Sequence, residues 1–235
     1  MPSDASSVVY SDDDTRVVVL RGAIEGRLLS HPDRSFALEI SLDLDKGEEF
    51  FDKKPPTHFH VQEEYVEVIE GVMGFEHEGK ELILTPKDGR FNIKPYSNHR
   101  TYPMPKDMQP AGGNIVKFLL SGEKTNAVFE LNPVFFENWY KYQDQFVIHG
   151  EKLSMMQLLS TFDAGGTYLS PPPWMPFGQQ ISIGIGVVFG RWLGGLLGYQ
   201  PFYRKWTTDW DMACDKMRTT IFQRRFADYN AKKDI

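Results

Sequence analysis

From about residue 15 to residue 122 the chain keeps no helical apolar period. It breaks instead into short β-type runs divided by turns, which confines this stretch to a sheet-built fold. Residues 15–20 and 36–42 are strand-like, the second with clean alternation of apolar and polar side chains. Further runs follow at 65–69, 72–77, 81–84, 90–93 and 114–120, with Gly71, Gly79, Gly89 and Gly112-Gly113 between them or at their edges. Many short strands at close spacing predict a sandwich or a barrel.

After Pro133 the period changes. Val134, Phe135, Trp139, Tyr142 and Phe146 fall at helical spacing over 133–148, and Leu153, Met156, Leu158, Leu159 and Phe162 do so over 151–162. Pro171-Pro172-Pro173 and Pro176 predict a stiff, extended connection. An apolar stretch over 181–199 leads to a last expected helix at 204–229, with Trp206, Trp210, Ala213, Met217, Ile221 and Phe226 on one face. The expected organisation is a polar lead-in at 1–14, a β-barrel at 15–122 and a helical C-terminal extension at 123–235, packed on the barrel or at a dimer interface.

A length of 235 residues suits one domain with such an extension, and a net charge of −6 argues against a general nucleic-acid binder. Cys214 is the single cysteine, so no intrachain disulfide can form and a reducing compartment is expected. The thiol itself reads as a small buried apolar group. The first residues lack the basic and apolar regions of a secretory leader, which makes the cytoplasm the expected location.

The chemistry concentrates in one segment, Pro55-Pro56-Thr57-His58-Phe59-His60-Val61-Gln62-Glu63-Glu64-Tyr65. On a strand, side chains two apart share a face, so His58 and His60 point the same way with a carboxylate close behind. Imidazole and carboxylate together suit first-row metals such as iron, manganese, nickel or zinc. His99 follows another strand and the turn Pro95-Tyr96-Ser97-Asn98, and a barrel can bring it to the same point.

This spacing, His58-x-His60-x3-Glu64-x6-Gly71, resembles the first motif of the cupin superfamily, G-x5-H-x-H-x3,4-E-x6-G, except that Asp52 replaces its opening glycine. Gly89-x5-Pro95 begins a match to the second motif, G-x5-P-x-G-x2-H-x3-N. There Ser97 replaces the glycine, His99 comes one residue early, and Pro103 stands in the asparagine position. The resemblance implies a mainly β fold, a jelly roll or double-stranded β-helix over residues 15–122. It also implies one divalent metal held by His58, His60, Glu64 and His99, with Fe(II) favoured over Zn, Mn or Ni. Glu63 falls one residue short of the motif, and His31, His77 and His149 match neither motif, which leaves them as ordinary residues. The layout of one barrel and a helical extension is similar to the stand-alone cupins of fungal natural-product pathways.

Gly186, Gly190, Gly194 and Gly198 recur every four positions, a ridge that another backbone could approach closely. Arg191 interrupts the segment, and the unbroken apolar run 183–190 falls far short of the ~20 residues of a membrane span. Packing within the protomer or across a homodimer is the favoured reading. Peripheral membrane attachment and a mobile lid over the barrel mouth stand behind it.

A fold does not fix a function. An intact set of ligands favours an enzyme over a ligand-binding or storage barrel, acting on a small-molecule substrate with no nucleic acid involved. Phe91 and Ile93, with Val66 and Val68 in parity with Glu64, are expected along the pocket wall and suit a hydrophobic or aromatic substrate, although they serve equally as barrel core. Thr101 shares a face with His99. The favoured activity is a metal-dependent, dioxygenase-like oxidoreductase, with a non-redox isomerase, cyclase, decarboxylase or lyase as the alternative.

Overall fold

The computed structural model describes residues 9–10 and 16–232, and the expected lead-in over 1–14 lies outside them except for the pair 9–10. The chain divides into two compact units, Met1–Thr125 and Asn126–Ile235.

The first unit is two antiparallel sheets. One has seven strands, ordered β1 (Val9–Tyr10), β3 (Ile24–Ser30), β4 (Arg34–Asp43), β11 (Ile115–Glu123), β6 (Glu64–Glu70) and β9 (Arg90–Ile93), with β2 (Arg16–Val19) also on β3. The other runs β5 (His58–His60), β10 (His99–Pro103), β7 (Met73–His77) and β8 (Lys80–Leu84) within this unit. Together they form a jelly-roll barrel.

Register decides what faces the interior, because residues directly opposite on antiparallel strands share a face. In the larger sheet one inward row reads Leu38, Leu120, Val66, Phe91, and the next reads Phe36, Gly122, Glu64, Ile93. The row through Glu64 needs a glycine beside it: a Cβ on Gly122 would lie 2.4 Å from the Phe36 ring. In the smaller sheet one row is His58, His99, His77 and the next pairs Thr101 with Phe75.

Turns hold these rows in place. The loop between β7 and β8 has two residues, Glu78 and Gly79, both at positive φ (49° and 74°), the geometry of a tight hairpin. Gly71, which closes the first motif, has φ 79°, and a Cβ there would lie 2.7 Å from Ile115 O. Gln109 braces this corner by donating to Val72 O and Met104 O and accepting from Val72 N. The expected runs match observed strands to within a few residues, but β3, β5 and β10 lie outside them; in β3, Gly26 and Arg27 break the apolar pattern.

The second unit is helical. Asn132 caps α1 (Pro133–Val147) by accepting from Phe135 N at 2.9 Å, and Ser154 caps α2 (Met155–Ala164) by accepting from Gln157 N. The cap at Ser154 leaves Leu153 outside the helix and exposed, against the expectation that it packs on the apolar face. A short strand, β12 (Thr167–Leu169), and the proline-rich connection lead into α3 (Gly178–Leu197), whose middle, Gly186–Gly194, is π-helical.

Gly186, Gly190 and Gly194 are all buried, and a Cβ on Gly190 would lie 2.4 Å from Leu159 O of α2. The glycine ridge is therefore a close seam between α2 and α3 inside the protomer. Gly198 does not belong to it: at φ 107° it ends the helix.

The last expected helix, 204–229, is corrected to a 3-10 turn at Arg204–Trp206, the helix α4 (Trp210–Arg218) and a second turn at Arg224–Phe226. Asp209 starts α4 afresh by accepting from Met212 N, and the Thr219 hydroxyl donates to Lys216 O at its end. Cys214 is fully buried in α4, and burial pushes its thiol up to about 11.

Candidate metal centre

The row His58, His99, His77 sets three imidazoles side by side on strands β5, β10 and β7. His60, two residues along β5, joins them from the same face. One ligand nitrogen each from His58, His60 and His99 lies within 4.8 Å of the other two. From the facing sheet, Glu64 Oε2 reaches to 3.2 Å from His99 Nε2 and 3.5 Å from His60 Nε2. The structure therefore clusters His58, His60 and His99, with Glu64 set against His60 and His99.

Backbone carbonyls aim two of the rings. His99 Nδ1 lies 2.9 Å from Ser97 O, and His58 Nδ1 lies 3.3 Å from Pro56 O. A proton on each Nδ1 satisfies those carbonyls and turns the Nε2 lone pair inward, the outer-partner arrangement of metal-bound histidines. The His99 contact depends on the altered second motif. The left-handed residue of that turn is Tyr96 (φ 65°), whose N–H donates to His60 O at 2.7 Å. A non-glycine residue there costs about 1–2 kcal/mol. In exchange the turn tolerates Ser97 in the glycine position and still presents His99 one residue early.

The donor set fits a divalent cation. With the proton on Nδ1, the His99 Nε2 lone pair faces the Glu64 carboxylate oxygen at 3.2 Å, an acceptor pair that a cation between them would satisfy. Burial, then the neighbouring imidazoles, holds His58 at about 3 and His60 well below its usual range, so both are neutral at neutral pH and could serve as ligands. Nitrogen and carboxylate donors together suit a first-row transition metal.

The expected wall residues all lie on the inward rows. Val66, Val68 and Ile93 are buried, whereas Phe91 and Thr101 keep partial exposure. Phe75, opposite Thr101, packs edge-on to Phe91 at 4.8 Å between ring centroids.

Sequence reasoning set His77 aside as ordinary, yet it completes the histidine row. Its ring stacks on Phe75 at 5.7 Å and meets Phe91 at 5.5 Å, and its buried Nε2 has no hydrogen-bond partner. Period-two parity with Phe75 was the available signal, but only the register between β7 and β10 joins it to His99.

The depressed histidines predict a pH dependence. Below pH 6.5 the unfolded chain takes up protons that folded His58 and His60 resist, so the metal-free protein should lose stability as pH falls from 6.5 towards 3. Melting of chelator-treated protein should be level above pH 7 and drop between 6.5 and 5. A midpoint level down to pH 5 would contradict the assignment.

No family model matches the chain. Among curated proteins it is 45% identical over 183 residues to "Probable oxidoreductase yanE" of Aspergillus niger, covering 77% of this chain and 70% of that protein. It is 45% identical over 186 residues to "Oxidoreductase macE" of Penicillium terrestre, covering 77% and 70%. It is also 40% identical over 172 residues to "Epoxidase atD" of Aspergillus terreus, covering 73% and 52%. The chain thus spans between 52% and 70% of the length of these relatives. Among solved structures, an RmlC-like cupin with a double-stranded β-helix fold from Methanocaldococcus jannaschii overlays with a TM-score of 0.32 at 12% identity, over 49% of this chain and 87% of that one. With its motif spacing, its jelly-roll barrel and 45% identity across most of the yanE protein, the chain belongs to this family of fungal oxidoreductases, as a cupin.

Proposed function

We propose that the protein is a metal-dependent oxidoreductase of dioxygenase-like chemistry, acting on a small hydrophobic or aromatic natural-product intermediate. The observation that carries this reading is the cluster of His58, His60 and His99, with the Glu64 carboxylate against His60 and His99. The names of the relatives, oxidoreductase and epoxidase, support redox chemistry over isomerisation.

His58, His60, Glu64 and His99 would hold one Fe(II), which supplies dioxygen activation when bound. The rest falls to the chain. Phe75 and Phe91 offer flat apolar contact to an aromatic substrate, while Val66, Val68 and Ile93 keep the floor of the site dry. Thr101 and His77 stand on the same inner surface, with a hydroxyl and an imidazole Nε2 available to orient a substrate oxygen.

The test is to reconstitute the full chain anaerobically with iron, offer aromatic polyketide-type substrates, and follow dioxygen uptake together with product mass. Uptake matched to product supports the oxidoreductase. Equal conversion under nitrogen with zinc or manganese would replace it with the isomerase or lyase alternative. Binding of a ligand without any conversion would favour a storage barrel.

A further inference from the structure

We propose that the outward face of α3 is a membrane-docking surface that seats the C-terminal unit on the headgroup layer of an anionic lipid bilayer. α3 has two faces of opposite character. Its glycine face is pressed against α2, whereas Ile185, Val188, Phe189, Trp192, Leu196 and Leu197 all stand exposed on the other. The apolar surface continues beyond both ends of the helix. Trp174 and Phe177, just ahead of it, are each 78% exposed. At the far end a Cβ on Gly195 would lie 3.0 Å from Phe222 Cβ, and the adjoining Ile221 is 71% exposed. Scattered apolar residues are ordinary on a protein surface, but a contiguous run along one element marks an interaction site.

Charge points to lipid as the occupant. The whole chain has a net charge of −6, yet no Asp or Glu occurs between Asp163 and Asp209, a stretch that carries Arg191, Arg204 and Lys205. Residues 219–227 add Arg224 and Arg225, again without an acid. The charge of Arg191 is drawn inward. Its guanidinium donates to Asp163 at 2.6 and 2.9 Å and lies 3.4 Å from the Phe129 ring centroid. Arg225 is fixed at the end of α3 by donating to Gly195 O and Leu196 O, with exposed Arg224 beside it. An uncharged face rich in Trp, Phe and Leu with exposed arginines at one end is what the boundary between acyl chains and anionic headgroups accommodates.

A second copy of the chain suits this surface less well. A two-fold interface sets the patch against a copy of itself, which offers the arginines at its end no acidic partner along residues 164–208. Spanning is also disfavoured. The 20 residues of α3 would measure about 30 Å, enough to cross a bilayer. However, crossing would carry the packed α2 and the Asp163–Arg191 pair into hydrocarbon. The helix is placed to lie in the plane of the interface.

The test uses purified full-length chain, co-sedimented with vesicles of phosphatidylcholine alone or of phosphatidylcholine with phosphatidylserine. The expected result is binding that is stronger with phosphatidylserine and weakened by salt. Phe189→Asp and Trp192→Asp should each bind about tenfold more weakly, from the loss of one buried aromatic side chain. Arg224→Glu should remove the preference for phosphatidylserine. Trp174→Ser, ahead of the helix and without packing to lose, provides a further apolar variant if either aspartate substitution fails to fold. Protein that stays in the supernatant with both vesicle types would overturn the proposal, as would unchanged binding of folded Phe189→Asp and Trp192→Asp. A dimer that Trp192→Asp dissociates, in the absence of vesicle binding, would assign the face to a second copy.

Discussion

His60→Ala is expected to leave a folded protein that no longer holds a stoichiometric metal, whereas His77→Ala keeps it. His60 is buried, shares its face with His58, and has Glu64 Oε2 within 3.5 Å. Losing an outer partner of a metal ligand typically costs 10–100-fold in affinity, so losing a ligand should cost at least about 100-fold. His77 lies in the same cross-strand row but outside the cluster of mutually close nitrogens. Its removal should act on substrate handling instead. Metal content after anaerobic loading and desalting, measured on protein purified without a metal-binding tag, checks both halves. Equal metal in wild type and His60→Ala would remove the basis of the proposed function. Glu64→Gln separates charge from shape: it keeps an oxygen in place but takes one negative charge from the site, and turnover should fall with little change in melting.

The second large effect lies in the helical unit. Asp163 is fully buried, accepts two hydrogen bonds from Arg191 and accepts a third from Tyr168 OH at 3.0 Å. Asp163→Ala should destabilise the protein by about 3–5 kcal/mol, because it strands a guanidinium in the seam between α2 and α3. In a chain of this size that lowers the melting midpoint by on the order of 10 °C. The double variant Asp163→Ala/Arg191→Met keeps most of the stem volume without the charge and should recover much of the loss. Thermal unfolding of the three proteins decides the matter. An Asp163→Ala protein that melts like wild type would mean that water reaches the pair and the seam is loose.

The candidate metal site was legible because the constraint on most of it is local. His58, His60 and Glu64 lie within seven residues, a strand alternates faces every residue, and Gly71 at φ 79° marks a turn that only a small residue fits. His99 was reachable through the second motif even with Ser97 in place of glycine. What that motif could not show is that Tyr96 takes the left-handed position and so keeps His99 aimed.

The sequence by itself determined the all-β character of residues 15–122, the helical change after Pro133, the shared face of His58 and His60 and the small-residue ridge of α3. Each of these follows from periodicity or spacing within a short window, where backbone geometry dictates which side chains share a face. Only the tertiary structure decided the rest. Register between β10 and β7 put His77 beside His99, and facing sheets brought Glu64 to the histidines. Capping by Asp209 cut the last helix short, and packing of Gly190 on Leu159 chose which face of α3 is buried and which stands open. Those outcomes depend on contacts between segments far apart in the chain, and no local period encodes which distant partner a face will meet.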